Sequence, residues 1–116
     1  MLRIAAITCA LALGACAAPY KPVAELAAAR TTVEHAQPAA ARYAPQELRA
    51  AQAKLERAEA AMAAEDYEAA HRLAEQAEVD AKLAWSIAES ERARRAVAEL
   101  NQSIDALNQQ LQRRSQ

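Results

Sequence analysis

Apolar side chains recur every three or four residues along most of this chain, and the places where that rhythm stops mark its elements. Leu48, Ala51, Leu55, Ala58 and Met62 are spaced 3, 4, 3 and 4 apart. This is a heptad seam, and it predicts a helix α2 over about 45–64 with Pro45 at its opening. Upstream, Val23, Leu26, Val33 and Ala36 fall on one side of a helix α1 over about 22–36. Pro22 suits its first turn, and Glu25, Arg30 and Glu34 lie largely elsewhere around it. The segment between carries Pro38 and Pro45. Each proline disfavours the α conformation in the residue before it, so a kink or short connection is expected there.

After Met62 the run Ala64, Glu65, Asp66, Tyr67, Glu68 has no glycine or proline, but Asp66 is a suitable N-cap and Glu68 places negative charge in a first turn. A turn there makes α2 and the next helix an αα-hairpin. That helix, α3, is expected over about 67–113 without a breaker, roughly 69 Å long at 1.5 Å per residue. Its first half carries alanines at 70, 74, 77, 81, 84 and 88, a seam that lets another helix approach closely. Its second half switches to Ala93, Val97, Leu100, Ile104, Leu107 and Leu111, a seam of larger residues, so the two halves pack against different things or at different distances. The expected fold is all-α: an elongated antiparallel helical hairpin or three-helix bundle with one long C-terminal helix, coiled-coil-like. In that arrangement α2 covers α3 up to about Ile87, and α1 reaches the C-terminal heptads.

Composition narrows the class. Alanine holds 35 of 116 positions, Gly14 is the one glycine and phenylalanine is absent, a helix-forming balance with little bulk for a thick core. Thin bundles bury little surface per residue, so a homo-oligomer formed through the 93–111 seam or through Trp85 is expected. Fourteen basic side chains against fifteen acidic give a formal charge of −1. Nucleic acid is not an expected partner, because binding it takes a basic face that neutralises phosphates.

The first residues follow another rule. Met1 to Arg3 is a short basic start, and Ile4 to Leu13 is an apolar run shorter than the ~20 residues that span a hydrocarbon core. A signal peptide over 1–15 fits, and a membrane-spanning helix does not. Leu13-Gly14-Ala15-Cys16 at its end resembles the lipobox of bacterial lipoproteins. The resemblance implies cleavage before Cys16, a covalent lipid on that residue, a lipidated tether over 16–21 and a helical domain over 22–116. Three acyl chains, as the resemblance implies, would anchor far more firmly than the marginal hold of one. The other reading is an ordinary leader cut at Ala15-Cys16-Ala17, which releases a soluble protein. Cys9 lies inside the leader, so Cys16 would remain without an intrachain disulfide partner. Ala17, rather than aspartate, follows it. By resemblance to lipoprotein sorting in bacteria with two membranes, this implies the outer membrane, facing the periplasm.

Tyr43-Ala44-Pro45-Gln46-Glu47-Leu48, Lys54-Leu55, Asp66 to Ala70, Leu73 to Ala77 and Asp80 to Ala84 resemble a helical domain of unknown function from small bacterial envelope lipoproteins. Such domains are also found ahead of OmpA-like peptidoglycan-binding domains. The resemblance implies work between membrane and wall, with envelope proteins or peptidoglycan-associated proteins as partners, and it carries no functional residues over. Ala58, Asp66 to Glu68, Ala70 and Ala77 also resemble one tetratricopeptide hairpin. A peptide-binding groove of that kind generally takes three or more repeats.

Candidate chemistry is sparse. Glu68 and His71 stand three residues apart, the spacing of half a di-iron site, but a second Glu-x-x-His is missing, so no metal is expected. The serines after the leader, Ser86, Ser90, Ser103 and Ser115, have no local glycine turn to make one a nucleophile. Arg92, Arg94 and Arg95 read as partners of nearby glutamates. Trp85 suits either an interface anchor or the cap of a hairpin core. The expectation is a non-enzymatic lipid-anchored scaffold or interaction module with no cofactor beyond its lipid. Its partner surface would be Trp85, Val97, Leu100, Ile104, Leu107 and Leu111. The alternative is a small-ligand or peptide-binding helical carrier.

Overall fold

In the computed structural model, residues 20–115 are described; Leu13 to Cys16, with the leader, lie outside the described residues. Three helices follow in order: α1 Val23–Tyr43, α2 Pro45–Ala63 and α3 Tyr67–Arg114. The described residues include no strand. None of these helices is long and apolar enough to cross a membrane.

α1 does not stop near residue 36. It passes through Pro38 and ends at Tyr43. An interior proline removes one bond to the carbonyl four residues back and costs about 3 kcal/mol. Pro38 is exposed, and Glu34 is exposed with it, so water can take up the freed carbonyl. On the opposite side Ala36 and Ala40 are buried, and that packing carries the helix across the proline. The break falls one residue before Pro45 instead. Ala44 adopts φ −143° and ψ 53°, outside the helical region that the following proline ring disfavours. Its N–H donates to the Ala40 carbonyl at 2.8 Å and its carbonyl accepts from the Leu48 N–H at 3.1 Å. One buried residue therefore closes α1 and opens α2.

The second turn uses two carbonyl-satisfying bonds. The Asp66 N–H donates to Ala61 at 2.9 Å and the Glu65 N–H to Met62 at 3.2 Å, the pairing of a Schellman motif with Glu65 in its left-handed position, φ 60°. Asp66 then caps α3, its Oδ1 accepting from the Ala69 N–H at 3.1 Å, as the sequence predicts.

α2 runs back along α1, with Arg30 paired to Glu59. α3 then runs antiparallel to α2, with Lys54 paired to Asp80 at 2.6 Å, and parallel to α1, with the His35 and Trp85 rings 5.9 Å apart. The buried positions of α3 are alanines throughout, Ala70 to Ala88. Val33, Ala36 and Ala40 of α1 with Leu48 and Ala51 of α2 meet one end of this seam, and Ala29 with Ala58 meets the other. Methyl-sized contacts allow axes about 8 Å apart, the short end of helix packing. The expected reach of α1 to the C-terminal heptads is therefore corrected. A one-residue link leaves no slack, so α1 folds back beside α2 and covers the first half of α3 only.

Candidate interaction surface

Beyond Ala88 no residue of α3 is buried, and from Arg92 to its end every described residue is exposed. This projecting stretch carries the larger-residue seam: Val97, Leu100, Ile104, Leu107 and Leu111 are between 48% and 64% exposed. They form one stripe with no cover from α1 or α2. Trp85 stands apart from it. It is 43% exposed, with its ring tilted at 39° over His35 of α1, so it flanks the bundle and is not part of the projecting seam.

The stripe begins earlier than the sequence reading placed it. Val79 and Leu83 are 63% and 52% exposed on the stretch of α3 that α1 and α2 cover from the other side. Each stands two residues after a buried alanine, Val79 after Ala77 and Leu83 after Ala81. Ser86 and Ser90 stand likewise two after Ala84 and Ala88 and are exposed. Two residues are a little over half a turn. α3 is thus two-faced, with alanines toward the bundle and a second heptad row on its back, running from Val79 to Leu111 through the smaller Ser86, Ser90 and Ala93. The 3-4 spacing continued backward through the two serines is the signal that finds it.

Ionic contacts flank this row without crossing it. Arg92 pairs with Glu89 at 3.6 Å and Arg94 with Glu91 at 2.9 Å, both within α3, whereas Arg95 turns its guanidinium over the Tyr43 ring at 5.1 Å. At the other end of the bundle, the Tyr20 hydroxyl donates to Glu25 at 2.5 Å. That hydrogen bond, with help from the backbone and from nearby His71, holds the Glu25 carboxyl below its ordinary range, and it raises the Tyr20 phenol. His71 lies 3.9 Å from Glu25 and 3.4 Å from Glu75; its close acidic neighbours are these two, and the sequence candidate Glu68 is not one of them. No group of three or more His, Cys, Asp or Glu among the described residues is placed to hold a metal ion. Tyr20, Tyr67, Glu68, His71 and Arg72 line a shallow groove here of about 420 Å³.

The family described as Domain of unknown function (DUF4398) matches residues 24–100. The chain belongs to that family. The match spans α1, the α1–α2 link, α2 and the part of α3 that packs against them, together with the first stripe residues out to Leu100. Ile104, Leu107 and Leu111 lie past the matched segment. No curated protein and no solved structure matches the chain.

Proposed function

We propose that this DUF4398 protein is a lipid-anchored helical spacer of the bacterial cell envelope. It is a non-enzymatic interaction module, held to the outer membrane through Cys16 and facing the periplasm. The observation that carries the reading is the placement of its two ends. α1 begins beside the start of α3, where Lys21 lies over the Tyr67 ring at 5.4 Å, so the described chain begins at that end. The uncovered stripe is displayed at the other, with Leu107 roughly 60 Å along α3 from Tyr67. A spacer of this kind works by geometry: one end is fixed in the bilayer and the other offers an apolar surface along the projecting helix.

The lipobox resemblance of Leu13-Gly14-Ala15-Cys16 supports the anchor, and the alanine-to-alanine interior favours a scaffold over a carrier, because helices this close leave little room for an internal ligand. Envelope proteins, including those associated with peptidoglycan, are the partners that the resemblance to envelope lipoproteins implies. The test is fractionation of cells making the full chain and its Cys16→Ala variant. The parent chain is expected in the outer-membrane fraction with a lipid-modified N-terminus by mass spectrometry, and the variant is expected to lose both. A variant that stays in the membrane fraction to the same extent overturns the anchor.

A further inference from the structure

We infer that the back row of α3 is the seam of a parallel two-stranded coiled coil with a second copy of this chain. The inference deepens the anchored-spacer reading, and rests on it for the common orientation of copies standing on one membrane. In heptad terms the two central heptads of the projecting stretch put Val97 and Ile104 at position a and Leu100 and Leu107 at position d, while at the ends of the row Leu83 and Leu111 fall at a and Val79 at d. β-Branched residues at a with leucine at d are the combination that favours two parallel strands. The row stays continuous for about 48 Å, from Val79 to Leu111, and it ends where Gln76 and Arg72 take the next positions toward the N-terminus.

Sterics and charge select the same partner. The buried alanines occupy b and f positions, opposite the seam, so α1 and α2 of each copy sit on the outer sides of the paired α3 helices and do not obstruct them. Parallel pairing in register sets each g position against the e position five residues on in the other copy. Glu89 is at g and Arg94 at e, which gives two Glu–Arg pairs across the twofold axis. Both side chains are held only by neighbours on their own helix in the single copy and are free to exchange them. At the N-terminal edge of the row Glu75 at g meets Asp80 at e, whose charge Lys54 of its own chain already offsets. Toward the C-terminus the flanks are Ala96, Asn101, Ser103 and Asn108, without the like charges that would reject an identical chain. Ser86, Ser90 and Ala93 give the seam a narrow waist. Doubling the half- to two-thirds-exposed stripe with its flanks brings the buried area to about 1,000 Å², the lower bound of a specific interface. Trp85, at a c position against His35, stays outside the pair.

Oxidative crosslinking of the full chain in cells, with two differently tagged copies, tests this. Leu107→Cys is expected to give a disulfide-linked product containing both tags at twice the chain mass. Gln102→Cys, on the far side of the helix, should give no more than the parent background. Val79→Cys should also link to itself, while a mixture of Val79→Cys and Leu107→Cys copies should form no heterolinked product. Adding Ile104→Asp to Leu107→Cys is expected to cut the product at least ~10-fold. Ile104 lies beyond the bundle, so the fold is kept. Equal linking at 102 and 107, a dominant 79-to-107 product, or adducts only with other envelope proteins each overturns the proposal. Linked pairs in the soluble fraction would leave the pairing standing and remove the anchor. Unlinked chains in the membrane fraction would do the reverse.

Discussion

Glu65 is the residue on which the backbone places its strongest demand. It holds φ 60° at the position of the α2–α3 turn where helices most often end on glycine, and the left-handed conformation costs a side-chain-bearing residue roughly 1–2 kcal/mol. Glu65→Gly is therefore expected to stabilise the bundle by about 0.5–1 kcal/mol, the relief being partly offset by the freer unfolded chain. Thermal unfolding of the two chains checks this, and a lower midpoint for the variant would show that Glu65 is not strained there. The sequence signalled only half of this turn. Asp66 was legible as a cap because an acidic side chain before a helical run has a local job. Glu65 carried no mark, since its conformation is imposed by the Schellman bonds to Ala61 and Met62 and by the need to fold α3 back on α2.

At the scale of the element, α3 shows why spacing was informative and helix ends were not. Its alanine row and its larger row were both readable as heptads, and the structure gives each a separate face. The proline segment does hold the expected short connection, at Ala44, but the end of α1 falls at Tyr43 and not near residue 36, because Pro38 and Pro45 have the same local chemistry and different surroundings. One lies on the solvent side of a helix pinned by buried neighbours, and the other follows Ala44, the single buried residue at which the chain reverses so that α2 packs back along α1. The two faces of α3 should respond oppositely to size. Ala77→Leu adds three carbons where helices already touch and is expected to lower stability by about 1–3 kcal/mol, a fall of several degrees or more in midpoint. Leu100→Ala removes bulk from a surface that touches nothing within the chain and should leave the dilute midpoint unchanged. If the two substitutions cost the same, the assignment of inner and outer faces is wrong.

The described residues form a short three-helix bundle from which α3 projects from Arg92 to Arg114, more than three heptads, and that shape was only partly legible. The long third helix and the thin core followed from composition and spacing. The place of α1 did not, because the one-residue link at Ala44 decides it and a single alanine before a proline reads the same in a kink as in a full reversal. The projection sets a condition on stability. A helical segment with no tertiary cover is marginal at this length, while the bundled part of α3 is held by α1 and α2. Backbone amides over 97–111 should therefore exchange fast in dilute solution, and those around Ala77 to Ala84 slowly. If the back row pairs with a second copy, protection over 97–111 rises with protein concentration, and protection over 77–84 does not. Hydrogen exchange at two concentrations about a hundredfold apart separates the outcomes. Strong protection over 97–111 that ignores concentration would mean the projection stands without a partner, and pairing would then not be what orders it.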